Sequence, residues 1–161
     1  MAVSRSLEAE DTETVEKLES ARLGMLGDYI GYHLRLAQNA SFKAFQRKTG
    51  EDDLRPGWFA VLSLIQENPG ITPMALSKAS GRDKSTLTPV LRDLHRLHLV
   101  ARETMPTDKR SYTLSLTPAG VSKLEKLARH AADHDRELDE IVGSRKAELI
   151  ELLRLIATRL D

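Results

Sequence analysis

The stretch Asp83-Lys84-Ser85-Thr86-Leu87-Thr88-Pro89-Val90-Leu91-Arg92-Asp93-Leu94-His95-Arg96-Leu97-His98-Leu99-Val100-Ala101-Arg102-Glu103-Thr104 decides the fold, because its periodicity changes partway along. Leu87, Val90, Leu91, Leu94 and Leu97 recur at helical steps, and Asp83 stands where a helix cap is expected. From Leu99 the pattern turns to period two. Leu99-Val100-Ala101-Arg102-Glu103-Thr104 reads as a strand, and Met105-Pro106-Thr107-Asp108-Lys109-Arg110 as a polar connection. Tyr112, Leu114 and Leu116 then alternate along a return strand. Upstream, Thr72-Pro73 is a hydroxyl cap followed by proline, opening a short helix to about Ser80, and Gly81 makes a tight turn. Two helices joined by a glycine turn and followed by a hairpin form a helix-turn-helix with a basic-tipped β-ribbon.

Outside this block the chain is helical. Residues 1–17 are acidic, without apolar periodicity, and are expected to form a flexible arm. A helix is expected from there to Lys48, with Leu26, Ile30, His33, Ala37, Ala40 and Ala44 on one face. Gly24, Gly27 and Gly31 would weaken it while permitting a close backbone approach by a partner. Thr49-Gly50-Glu51-Asp52-Asp53 reads as a turn, and Pro56 as the start of a second helix that Asn68-Pro69-Gly70 stops. Thr117-Pro118 opens a fifth helix with Val121, Leu124, Ala128, Ala131, Leu138 and Ile141 on its face, and Gly143-Ser144 breaks it. A sixth carries Leu149, Leu152, Leu153, Ile156 and Leu160. A compact helix-turn-helix core has too little surface to cover the first, fifth and sixth helices, so a homodimer is expected to form through them. The expected organisation is a dimerisation region of residues 18–55 and 118–161 around a DNA-binding domain of residues 56–117.

The chain has 161 residues with 24 basic and 24 acidic side chains, so its formal net charge is zero. Local balance is different. Residues 1–20 carry a net charge of −4, whereas residues 78–110 carry eight basic residues against four acids, and the local field governs phosphate binding. The absence of cysteine removes disulfides, thiol nucleophiles, Cys-ligated zinc and thiol-based redox sensing. No run is long and apolar enough for a membrane span, and the acidic start does not resemble a secretory signal, so a cytoplasmic location is expected.

Lys84, Ser85, Thr86 and Thr88 crowd the first turns of the fourth helix, with Arg92 farther along. Such a helix start presents free N–H groups, hydroxyls and a cation, which reach phosphates and base edges in a major groove. Hydroxyl-rich helix starts are also ordinary caps. Here Lys109 and Arg110 follow at the distance a wing requires, and an arginine profits from the negative potential of a narrow minor groove.

Three motifs carry a resemblance to a known family: Asp83-Lys84-Ser85-Thr86-Leu87-Thr88, then Leu91-x-x-Leu94-x-x-Leu97-x-Leu99-Val100, then Asp108-Lys109-Arg110-Ser111-x-x-Leu114-x-Leu116-Thr117. They resemble the winged helix-turn-helix of the MarR (multiple antibiotic resistance regulator) transcription factors, over about residues 20–160 once the flanking helices are included. The resemblance implies a mainly α fold, a winged helix-turn-helix with long N- and C-terminal dimerisation helices. It also implies a homodimeric regulator, a repressor for preference, on a pseudo-palindromic double-stranded DNA operator. The implied DNA-contacting residues are Thr72, Arg82, Lys84, Ser85, Thr86, Thr88, Arg92, Lys109 and Arg110, with Asp108 positioning the wing's cations. Two departures stand out. Pro89 sits inside the recognition helix, and His98 replaces a helix-ending glycine, at a position where His tolerates positive φ better than most residues.

Six of the seven aromatics lie between residues 29 and 59, as core packing or as the lining of an apolar pocket. The resemblance implies a small aromatic or anionic effector between the dimerising helices and the DNA-binding lobe. This would place Tyr29, Tyr32, His33, Arg35 and Trp58 near it, with Arg35 or His33 available for a carboxylate. No phosphate-binding loop, dinucleotide fingerprint, zinc-protease motif or nucleophile elbow is present, so no enzyme, no catalytic residue and no cofactor are expected. His130 and His134 stand at a spacing that can hold a metal; the preferred reading is a solvated surface pair with no metal. His95 and His98 are read as facing backbone or phosphate, or simply solvated. Asn39-Ala40-Ser41 is a chance glycosylation triplet in a helix. The competing function is a winged-helix interaction module without sequence-specific DNA binding.

Overall fold

The computed structural model describes residues 22–49, 55–105 and 108–160; the side chains of residues 56 and 108–110 are outside the description. The expected arm, residues 1–17, and the turn residues Gly50, Glu51, Asp52 and Asp53 therefore lie outside the described residues. The order of elements is a short 3-10 helix (Gly24–Asp28), α1 (Ile30–Thr49), α2 (Pro56–Glu67), α3 (Pro73–Ser80), α4 (Lys84–Arg96), β1 (Val100–Met105), β2 (Asp108–Leu116), α5 (Pro118–Val142), a single 3-10 turn (Gly143–Arg145) and α6 (Lys146–Leu160). The fold is mainly helical, with a two-stranded antiparallel ribbon. The chain divides into two compact units, residues 1–41 and 42–161.

In the first unit the expected single helix is broken. Gly24 takes φ +54° and Tyr29 is extended, so Gly24–Asp28 forms a 3-10 turn and regular helix begins only at Ile30. Three glycines in eight residues account for this, since each raises the cost of regular helix. Among the described residues nothing comes within 4 Å of a Cβ built on Gly24 or Gly31, so these positions are open to a partner's approach. The predicted apolar stripe of α1 faces outward: Ile30, His33, Ala37 and Ala40 are all exposed.

The second unit holds the core, which is Trp58, Val61, Leu62 and Ile65 of α2, Leu76 of α3, Leu87, Leu91 and Leu94 of α4, Leu99, Val100, Leu114 and Leu127. α2 packs on α3, β2 and α5, because its apolar residues run nearly all round it. β1 and β2 pair with Val100 opposite Leu116, Arg102 opposite Leu114 and Thr104 opposite Tyr112. A register shift at Thr104/Met105 brings Met105 opposite Asp108, so the expected long connection is shorter and Asp108, Lys109 and Arg110 already belong to β2. The Leu114 amide donates to the Ile71 carbonyl and its carbonyl accepts from the Gly70 amide, a bridge that ties the ribbon to the segment leading into α3.

Three further expectations, on Thr49, Leu97 and the His130/His134 pair, are corrected. Thr49 is the last residue of α1 and fully buried, its hydroxyl donating to the Phe45 carbonyl at 3.1 Å, rather than part of a turn. Leu97 is 45% exposed because α4 has ended before it. On α5 the buried line is Gly120, Leu127 and His134, each seven residues from the next, and Ala128 and Ile141 of its apolar stripe are exposed. The His130/His134 pair is not a solvated one, since the His134 ring is buried and stacked on Phe45 with centroids 5.6 Å apart. Beside it Lys48 donates to Glu137 at 2.6 Å, so the C-terminal turns of α1 are tied to α5. No group of three metal-ligating side chains occurs among the described residues.

Candidate nucleic-acid interface

The interface is built on two caps and one left-handed turn. Thr72 accepts a hydrogen bond from the Ala75 amide at 3.3 Å and starts α3, with Pro73 as its first residue. Gly81, at φ +62°, reverses the chain. Asp83 accepts from the Thr86 amide at 2.8 Å and from the Ser85 hydroxyl at 2.5 Å, which hold its carboxyl below the usual carboxylate range, the serine bond acting most strongly. Thus α4 begins where the sequence places it.

The cap orients α4 so that its two faces separate cleanly. Leu87, Leu91 and Leu94 are buried, whereas Lys84, Ser85, Thr86, Thr88, Pro89 and Arg92 are exposed. Pro89 lies within the helix and has no N–H for the Ser85 carbonyl, yet α4 continues to Arg96. The Thr88 hydroxyl donates to the Lys84 carbonyl at 2.7 Å. The Ser85 and Thr88 hydroxyls are thus held internally and must turn outward to meet another molecule.

Arg82 is different from its neighbours. It is half-buried, and its guanidinium lies 3.4 Å from where a Cβ on Gly57 would sit, so glycine at the start of α2 gives it room. Its backbone carbonyl accepts from Ser77 Oγ at 2.5 Å, and its amide donates to the Ser77 carbonyl, fixing the helix-turn-helix angle.

His98 ends α4 in the left-handed region at φ +56°, as its sequence position suggests. Around it the Leu99 amide donates to the Leu94 carbonyl at 2.9 Å and the His98 amide to the His95 carbonyl at 3.0 Å. This is the reciprocal pair of bonds usually closed by a glycine. Thr117 Oγ1 donates to the His98 carbonyl at 2.6 Å and accepts from the Gly120 amide at 3.0 Å. The end of α4, the base of the ribbon and the start of α5 thereby share one junction.

Several positions escape the sequence reading. Gly120 is one, since an added Cβ would collide with the Leu99 carbonyl. Lys146 is a second: it bridges Asp135 at 2.8 Å and Asp139 at 2.6 Å, which raise its pKa, Asp135 more, and hold the reversal into α6. Arg102 is a third. Its Nη2 donates to the Leu91 carbonyl at 3.1 Å and its guanidinium covers the Tyr112 ring at 4.9 Å. A signal existed for it, an arginine in phase with Val100 and Thr104 on the apolar face of a ribbon. Between α3, α4 and the ribbon lies a cavity of about 490 Å³, lined by Thr72, Met74, Lys84, Thr88, Met105 and Tyr112 among others. The side chains of Asp108, Lys109 and Arg110 lie outside the described residues.

The expected effector residues are divided between the two units. In the first, Tyr32 and His33 meet edge to face at 5.4 Å, and Arg35 lies 5.9 Å from the Tyr32 ring. His33 Nε2 is 2.8 Å from the Gly27 carbonyl, and Tyr29 is 52% exposed. In the second, Trp58 is 4% exposed within the core, with Arg55 over its ring at 5.2 Å.

These features are those of a winged helix-turn-helix DNA-binding protein, and comparison with known proteins agrees. A model described as "MarR family" matches residues 52–111. A Thauera aromatica protein assigned to transcriptional regulation of the hcr operon is 33% identical over 133 residues, 81% of this chain and 80% of that protein. The chain belongs to the MarR family of transcriptional regulators, a family of regulators and not of enzymes. Among solved structures, the transcriptional repressor CouR bound to a 23-mer DNA duplex is 29% identical, with TM-score 0.74 over 88% of this chain and 99% of that one. CouR bound to p-coumaroyl-CoA is 28% identical, with TM-score 0.75 over 84% of this chain and 96% of that one. Among the described residues no helix is long and apolar enough to cross a membrane.

Proposed function

We propose that the protein is a homodimeric transcriptional repressor that binds a pseudo-palindromic operator and is released from it by a small aromatic acid or its thioester. The observation that carries this reading is the clean division of α4, whose Lys84, Ser85, Thr86, Thr88 and Arg92 stand exposed above buried Leu87, Leu91 and Leu94. In this reading those five side chains enter the major groove, Thr72 and Arg82 contact the backbone, and Lys109 and Arg110 reach a minor groove with Asp108 steadying them. Residues 56–117 form the DNA-binding domain, and residues 18–55 and 118–161 pair two copies. The pairing is supported by α6, which has no buried residue while Leu152, Leu153 and Leu155 are each more than 40% exposed. CouR bound to DNA and CouR bound to p-coumaroyl-CoA support the DNA and effector parts of the proposal. Tyr29, Tyr32, His33, Arg35 and Trp58 are the candidate effector contacts.

The test is selection of bound duplexes from a random pool, repeated with aromatic acids and their coenzyme A thioesters. A two-fold symmetric site should emerge, binding should fall steeply with added salt, and one ligand class should release it. Arg110→Ala should weaken every duplex alike. Arg92→Ala should lower discrimination between selected and random duplex by about 1–3 kcal/mol. Recovery of random sequence would replace this reading with a protein-interaction module.

A further inference from the structure

We propose that Arg102 is a positioning residue that fixes the angle of the wing to the recognition helix, and so sets how the two engage DNA together; this rests on the wing reading given above. Arg102 extends from β1 to the Leu91 carbonyl in the middle of α4, while its guanidinium face lies on Tyr112 of β2, two residues from Arg110. It thus touches both strands of the ribbon and the helix at once. Nearer the base, the contact of His95 Nδ1 with the Val100 carbonyl at 3.1 Å joins the same elements. Beyond Arg102 lies the cavity, with Leu87 and Thr88 on one wall and Met105 and Ser111 on the other. Arg102 is therefore a polar tie between the middle of α4 and the outer part of the ribbon, where the two elements otherwise face each other across the cavity.

The chemistry fits positioning better than stability. A guanidinium is planar, so a carbonyl in its plane and a ring on its face fix its orientation, which an ammonium or a thioether cannot reproduce. Its Nε is buried with no hydrogen-bond partner, and among the described residues no carboxylate pairs with it. A half-buried cation with its Nε unsatisfied contributes little to folding, and a hydrophobic replacement of such a group is often neutral or stabilising.

The experiment compares wild type, Arg102→Met, Arg110→Ala and the double variant, by thermal melting and by titration of a selected duplex. Arg102→Met should melt at or above the wild-type temperature yet bind about tenfold more weakly, and Arg110→Ala should then cost little further affinity, because the two act as one unit. Wild-type affinity in Arg102→Met, or a full additional loss in the double variant, would overturn the proposal. If Arg102→Met does not fold, Arg102→Lys takes its place with the same expectations for binding and coupling. Arg110→Ala measured alone tests the wing reading, whereas its coupling to position 102 tests the clamp, so the two can fail separately.

Discussion

Asp83 shows how much one side chain carries at the start of α4. Its carboxylate caps the helix and is held below its ordinary pKa by Ser85 and Thr86. A group whose folded pKa is depressed gives its full contribution above the unfolded value and loses it as pH falls through the folded one. Wild type should therefore lose melting temperature as pH falls below about 4 more steeply than Asp83→Asn, which caps comparably without titrating. Parallel curves for the two proteins would refute the role. The caps at Thr72, Asp83 and Thr117 were legible because a hydroxyl or carboxylate before a helix has one common local use. Gly120 was not, and Arg102 showed only as an arginine in phase with the ribbon's apolar face, since their partners, the Leu99 carbonyl and the Leu91 carbonyl with Tyr112, are brought to them by tertiary packing. Gly120→Ala should destabilise the protein by about 3 kcal/mol, read from its urea midpoint, because backbone and not a flexible side chain must yield.

Among elements, the helix-turn-helix and the ribbon follow from periodicity, whereas boundaries move where a local conformation overrides it. α4 stops at Arg96 although Leu97 continues the apolar pattern, because His98 adopts positive φ and the amides of His98 and Leu99 turn back to close the helix. A side chain in that conformation costs about 1 kcal/mol relative to glycine. His98→Gly should accordingly raise the melting temperature by a few degrees while leaving α4 and the ribbon unchanged by circular dichroism. A fall would mean that the His98 side chain contributes more than its backbone strain costs. On α5 helical periodicity gives a stripe, but which line of the helix is buried depends on α2, whose Trp58, Val61, Leu62 and Ile65 meet Leu127 in one core.

For the whole molecule, apolar faces without cover are the dominant fact. The stripes on the terminal helices were visible as a pattern. Their exposure on Ile30, Ile141, Leu152, Leu153, Leu155 and Leu160 becomes evident only when one chain is seen folded. A single chain leaving this much apolar side-chain surface to water is expected to associate. Sedimentation should give about twice 18.0 kDa at micromolar concentration, and Leu153→Glu should return it to monomer and abolish operator binding. A monomeric wild type would remove the two-fold operator with it. The junction of Thr117, His98, Leu99 and Gly120 bears on how such an assembly responds. α5 has 25 residues, about 37 Å at 1.5 Å per residue, and its first turn is anchored at that joint by the Thr117 hydroxyl and the close approach of Gly120 to Leu99. Were α5 to swing as a rigid body about that joint, a displacement of roughly 3 Å at its distal tip would amount to a rotation of about 5° beside the end of the DNA-reading helix.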